Sequence, residues 1–243
     1  TQEEIKEVVA YAKERFSGVI PEIGLPGHAV AVLTAYPGYS CTGGPFEVRN
    51  IWGISNDIFC AGNEATFRFL EDIIKEVMPL FESEYFHIGG DEAPKIRWEK
   101  CPKCQAKIKE LGYVSDSEHS AEERLKSYFI QRIEKLLLKN DKKLIGWDEI
   151  LEGGLAPTAT VMFWRGEKGG IAAANMGHNV IMTPNDWLYF DNYQGDRKIL
   201  PGCNRRDVPL VKTYSYNPVP AALPADKHQY IYGVQANVWS EYM

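Results

Sequence analysis

Two carboxylic acids stand side by side at Asp91 and Glu92, directly after Phe86-His87-Ile88-Gly89-Gly90. Adjacent like charges tend to titrate apart, so that one carboxyl can serve as a proton donor while its neighbour stays ionised. The apolar run from Tyr85 to Ile88 reads as a short strand. The two glycines let the backbone leave that strand in a conformation that side chains resist. The same residues are also ordinary turn chemistry, because Gly-Gly-Asp suits a solvated turn.

Further residues able to hold a substrate fall at comparable places along the chain. His28 follows Gly24-Leu25-Pro26-Gly27 just beyond an apolar run, and Trp147, Trp164, Tyr189 with Asp191, and Trp239 with Glu241 each close or follow another. Aromatic faces pack on the C–H side of a sugar ring, and carboxylates accept hydrogen bonds from its hydroxyls. A single tryptophan is ordinarily core packing. Three of the six tryptophans at strand ends, beside acids, suit a sugar pocket better.

The five cysteines are Cys41, Cys60, Cys101, Cys104 and Cys203. Cys101-Pro102-Lys103-Cys104 is a C-x-x-C, which serves redox chemistry or half of a zinc site. No second C-x-x-C and no histidine pair at ligand spacing accompanies it. The expectation is therefore a local staple, or two unpaired thiols on the loop after the acid pair, rather than a metal site.

The elements that must position these groups alternate. Residues 3–16 carry apolar residues at helical spacing, opened by a Thr-Gln-Glu-Glu start. A short strand covers residues 19–23, and residues 34–62 form a long aromatic-rich loop without period, fit for a lid, a pocket wall or plain packing. Helical patterns cover 67–77 and 120–139, with a polar helix running through Lys107 and a small one near 171–176. Strands are expected at 85–88, 143–149, 160–165, 179–183 and 231–239. Strand, loop and helix thus recur about every 35–45 residues, giving six strands, two short of a closed eight-stranded β/α barrel. In that architecture catalytic groups sit at the C-terminal ends of the strands, where the residues above fall.

Bulk composition agrees. The chain has 243 residues, 44% hydrophobic and 25% charged, with net charge −6 and no lysine- or arginine-rich block. That balance supports a sizeable core and argues against nucleic-acid or anionic-membrane partners. No apolar run approaches the ~20 residues of a membrane helix. The start at Thr1, on a helix cap and without a methionine, leads to the expectation of a fragment of a longer protein.

The run His87-Ile88-Gly89-Gly90-Asp91-Glu92 resembles the His-x-Gly-Gly-Asp-Glu signature of glycoside hydrolase family 20, the β-N-acetylhexosaminidases. Pro21-Glu22-Ile23 with Pro26-Gly27-His28 is similar to the family's third strand. Gly146-Trp147-Asp148-Glu149, Phe163-Trp164, Tyr189-Phe190-Asp191 and Trp239-Ser240-Glu241 are similar to its fifth to eighth. The resemblance implies an α/β fold, a (β/α)8 TIM barrel incomplete in this chain, with residues 1–243 forming one partial catalytic domain. It implies exo-acting removal of terminal N-acetylglucosamine or N-acetylgalactosamine by a retaining, substrate-assisted route, in which the substrate's acetamido oxygen attacks the anomeric carbon. Glu92 is then the acid/base, Asp91 the partner of the acetamido group, and Tyr189 the donor to its carbonyl. His28, Trp147, Trp164, Asp191, Trp239 and Glu241 bind the sugar. The partner is a carbohydrate ending in a β-linked N-acetylhexosamine, no metal or cofactor is needed, and an exported setting is expected.

Two departures from the family pattern stand out. Gly24 occupies a position where the family usually has an acid, so the contact that acid makes near His28 is missing or supplied elsewhere. The family's first two strands, with an arginine for the outer hydroxyls and an aspartate behind the histidine, have no counterpart here. A non-catalytic sugar-binding or structural fragment therefore stands beside the enzyme reading. A conventional retaining glycosidase with Asp91 as nucleophile fits less well, because that chemistry wants carboxyls about 5–5.5 Å apart across the bond, normally on separate strands.

Overall fold

A computed structural model of the chain describes residues 1–240, and it divides into two compact units, Thr1–Ala159 and Thr160–Met243. Glu241, expected to bind a sugar hydroxyl, lies outside the described residues.

In the first unit, helix α1 (Gln2–Lys13) starts on a capping box in which the Thr1 side chain accepts from the Glu4 amide. It stops short of the expected end at residue 16, where Phe16 turns to φ 56°. Of the apolar stripe, Val9 is buried, whereas Ile5, Val8 and Phe16 stay exposed. Strand β1 (Glu22–Leu25) begins later than the apolar pattern suggested and includes Gly24 and Leu25, which were expected in the loop. Helix α2 (Val30–Ala35) and a 3-10 turn at Pro37–Tyr39 follow.

The long segment that follows answers the lid-or-packing question differently along its length. Ser40 bridges antiparallel to Phe59, and Ile58, Phe59, Cys60 and Ala61 are core residues, while Val48, Ile51 and Trp52 are exposed. Helix α3 (Glu64–Val77) is capped by Asn63, whose side chain accepts from the Ala65 amide at 3.1 Å. Strand β2 (Tyr85–Gly89) leads to two short helices, α4 (Ile96–Lys100) and α5 (Pro102–Glu110), in place of the single polar helix expected. Cys101 with Pro102 divides them, since a proline cannot continue a preceding helix but suits the first turn of the next.

Helix α6 (Ala121–Leu138) buries Leu125, Phe129, Ile133 and Leu137 as its spacing predicts, and strand β3 (Lys143–Trp147) ends in a 3-10 turn at Asp148–Leu151. The strands β1, β2 and β3 pair in parallel, with Glu22 opposite His87 and His87 opposite Ile145. Their C-terminal ends therefore share one edge, as a β/α architecture requires. Lys126 of α6, fully buried, spans to that edge by donating to the Glu149 carbonyl at 3.0 Å and the Glu152 carboxylate at 3.0 Å.

The second unit comprises β4 (Thr160–Phe163), α7 (Lys168–Asn175), β5 (Val180–Met182), α8 (Asn185–Leu188), β6 (Asn192–Tyr193), β7 (Asn204–Asp207), α9 (Leu210–Tyr214) and β8 (Ile231–Val234). Strands β4, β5 and β8 are parallel, and β6 with β7 forms a small separate pair that the sequence pattern had not suggested. Strand β8 ends at Val234 rather than near Trp239. Beyond it the chain changes partner: Gln235 donates to Met182 at 3.0 Å, then Asn237 exchanges backbone bonds with Leu188 and Phe190 at 2.7 Å each. No described helix is long and apolar enough to cross a membrane.

Candidate active site

The acid pair is displayed by the exit from β2. Phe86, His87 and Ile88 are buried within the strand, after which Gly90 takes φ 96°. A Cβ on Gly90 would lie 2.4 Å from Cγ2 of Ile150, so both the backbone conformation and the space demand glycine. The loop after β1 passes directly beneath. A Cβ on Gly27 would sit 2.9 Å from the Asp91 carbonyl oxygen and 3.2 Å from that of Glu92, a close approach that any side chain would prise open.

That approach delivers His28 to the acids. Its Nε2 lies 3.1 Å from Oδ2 of Asp91 and 3.6 Å from Oε2 of Glu92. Among the described residues four other than glycine have positive φ. Phe16 and Asp141 follow the ends of helices, whereas His28 (51°) and Glu92 (44°) carry the site's own side chains. Such conformations persist where surrounding packing enforces them, and here they aim an imidazole and a carboxylate at each other.

The hydrogen bond to Asp91 raises the pKa of His28; burial opposes the shift, and the charges of Asp91, Glu92 and Glu22 add to it. Asp91 is the less exposed acid, with 19% of its side chain accessible against 32% for Glu92. The geometry separates the two carboxyls: Asp91 lies against the histidine, and Glu92 is the more exposed of the two. Gly24 leaves space beside the imidazole, since a Cβ there would meet that of His28 at 3.3 Å.

A second polar group lies between the neighbouring strands. The Trp147 indole donates to Oε1 of Glu22 at 2.9 Å, and Nδ1 of His87 lies 3.1 Å from the same oxygen. The imidazole of His87 meets the Trp147 ring edge-on at 4.9 Å. Burial pushes the Glu22 carboxyl up, but the contacts with His87 and Trp147 outweigh it and hold the group below its ordinary value. Glu22 and His87 were not singled out as site residues from sequence. The available signal was a polar side chain interrupting an apolar strand beside another one. Trp147, expected as a pocket wall, is itself buried and fixed by this network.

In the second unit, Trp164 and Tyr189 stack at 6.3 Å between ring centroids, and Tyr189 meets Trp239 at the same distance. Asp191 is buried two residues after Tyr189, and the parallel bridge from Tyr189 to Asn237 fixes this segment against the chain leading to Trp239. The structure thus groups His28, Asp91 and Glu92 within one unit and Trp164, Tyr189 and Trp239 within the other.

The whole chain, residues 1–243, matches the model of the glycosyl hydrolase family 20 catalytic domain. This chain belongs to that family. It is 55% identical over 244 residues to a β-hexosaminidase of Porphyromonas gingivalis, covering 100% of this chain and 31% of that protein. A β-hexosaminidase of Vibrio furnissii is 36% identical, covering 99% of this chain and 39% of the relative. Among solved structures, the family 20 exo-β-N-acetylglucosaminidase of Vibrio harveyi in complex with N-acetylglucosamine superposes with a TM-score of 0.83 at 29% identity, over 100% of this chain and 38% of that one. The chain therefore spans roughly a third of the length of these curated relatives. Its fold is the α/β barrel of the family 20 catalytic domain, of which the β/α units described above are a part.

Proposed function

We propose that the protein containing this chain is an exo-acting β-N-acetylhexosaminidase that releases terminal N-acetylglucosamine or N-acetylgalactosamine with retention, through participation of the substrate's own acetamido group. The observation that carries this reading is the unequal setting of the two acids. Asp91 is pinned to His28 and cannot easily swing to a distant anomeric carbon, whereas Glu92 is more exposed at the same strand end.

In this mechanism Glu92 protonates the glycosidic oxygen as the acetamido oxygen attacks the anomeric carbon. The leaving group departs with that proton and a cyclic oxazolinium forms. Asp91, acting as an anion, orients the acetamide N–H and offsets the charge that develops on nitrogen. Glu92, now a carboxylate, takes a proton from water, which opens the ring at the anomeric carbon and regenerates the acetamide. His28 keeps Asp91 oriented. Tyr189 is assigned to the acetamido carbonyl, Trp147, Trp164 and Trp239 to apolar contact with the sugar, and Asp191 to the sugar hydroxyls. The complex of the Vibrio harveyi relative with N-acetylglucosamine supports this choice of sugar.

The test is release of aryl groups from aryl β-N-acetylglucosaminides by the intact protein. Glu92→Gln should lose about 10²–10⁴-fold in kcat/KM on poor leaving groups and much less on activated ones. An equal loss across all leaving groups would remove Glu92 from the acid role. Failure of the intact protein to bind a thiazoline mimic of the oxazolinium would overturn substrate assistance.

A further inference from the structure

The C-x-x-C motif did not find a partner along the sequence, but it finds two in space. Cys41 and Cys60 arrive from the long segment after α2, and Cys101 and Cys104 from the start of α5. Their four sulfurs all lie within 4.8 Å of one another. The pairs Cys60–Cys104, Cys60–Cys101 and Cys41–Cys104 stand at 3.6, 3.7 and 3.8 Å. Cys60, Cys101 and Cys104 are buried and Cys41 is partly so. We propose that Cys41, Cys60, Cys101 and Cys104 form a closed tetrathiolate site for one structural zinc ion.

The size of the cluster fits. Zinc bound tetrahedrally to four thiolates at about 2.3 Å separates the sulfurs by roughly 3.8 Å, 1.63 times the bond length. Thiols merely in van der Waals contact could match one such distance, but convergence of four from three separate stretches of chain requires a reason. The backbone supplies one. Cys101 is the N-cap residue of α5 and Cys104 lies in its first turn, where unpaired amides and the helix dipole favour negative sulfur. The Gly62 amide is directed at the sulfurs of Cys60 and Cys104, as a group supporting metal thiolates should be.

Gly62 makes this arrangement possible. A Cβ there would fall 2.2 Å from the carbonyl carbon and oxygen of Lys103, so the turn after Cys60 is seated directly on the C-x-x-C backbone. Four thiols packed this closely, three of them buried, cannot all ionise without a compensating positive charge. A dication allows all four to ionise, with the displaced protons passing to solvent.

A closed four-sulfur set leaves no open coordination position for substrate or water, so the ion's role is structural. Its effect would be to fasten the 40–60 segment to the helices after the acid pair. The same segment reaches the histidine loop, because the Phe59 amide donates to Pro26 at 3.0 Å, and it holds α4 through the Trp98 indole, which donates to the Phe59 carbonyl at 3.0 Å. This inference is independent of the hydrolase reading, and its test reads metal rather than turnover.

The intact protein, produced with zinc available, should contain about one zinc per chain by elemental mass spectrometry, released by an organomercurial that captures thiolates. Cys60→Ser and Cys101→Ser should reduce that content to background, whereas Cys203→Ser should retain it. Because cluster variants can misfold, unaltered protein refolded with cobalt(II) provides a second reading, the intense visible absorption of tetrahedral cobalt thiolate. Protein that takes up neither metal, or whose four cysteines prove by mass to be joined as two disulfides, would overturn the proposal.

Discussion

The acid-pair turn and the cysteine cluster hang from the same two stretches of chain, the segment after β1 and the segment after β2, yet they are built in opposite ways. Asp91 and Glu92 are consecutive and owe their placement to a local exit from β2, with His28 contributed from a distant stretch of chain. The four cysteines come from positions 41, 60, 101 and 104, and nothing short of the folded chain brings them together. The turn is partly exposed and carries strained backbone, as suits groups that must meet a substrate. The cluster is mostly buried and internally satisfied, as suits a clamp. On the two proposals above, chemistry and fastening fall to different residue types within neighbouring loops.

That separation can be broken experimentally. Beyond Glu92→Gln, the largest effect is expected from Asp91→Asn, which should lower kcat by about 10²-fold or more while leaving zinc content unchanged, since it removes charge from the turn and nothing from the cluster. A wild-type rate would strip Asp91 of the acetamide role. Tyr189→Phe should follow, lowering kcat more than it raises KM because its hydrogen bond would strengthen in the transition state; a pure KM effect would assign it to ground-state binding.

Gly27→Ala should act on the turn without changing any reactive group. The new Cβ, 2.9 Å from the Asp91 carbonyl, must shift the acid pair, and a displacement of a fraction of an ångström should cost about tenfold in kcat. Unchanged kinetics would show that the loop after β1 yields freely.

The smallest effect is in titration. His28 has a raised pKa, so its contact with Asp91 contributes stability that is full below the ordinary imidazole range and is lost as pH rises through the raised value. In Asp91→Asn the His28 midpoint, followed by NMR, should move down, because the leading cause of the shift is gone. Zinc content should not fall as pH rises over the same interval, because higher pH favours the thiolates, and a parallel loss of metal would show that the two regions are coupled.

Much of the architecture was legible because it is written locally. The 3.6-residue period of α6, the Asn63 cap of α3 and the apolar run of β2 each specify an element within a few turns of chain. Boundaries were less legible where tertiary partners decide them. β1 extends to Leu25 because it pairs with Gly89, and β8 stops at Val234 because the chain beyond it turns to Leu188 and Phe190. Glu22 and His87 passed unnoticed as site residues because their significance lies in one another and in Trp147, across three strands.

By itself the sequence determined the acid pair, its glycine exit, the strand ends and the family, because the relevant residues are contiguous or fall at the period of a single element. Tertiary structure decided which groups meet. It placed His28 against Asp91, closed the Glu22–His87–Trp147 network, and turned an unaccompanied C-x-x-C into half of a four-sulfur cluster. The physical reason is the same in each case. Hydrogen bonds and metal ligation act over about 2–4 Å in space, and separation along a chain says little about that distance once the chain has folded back on itself.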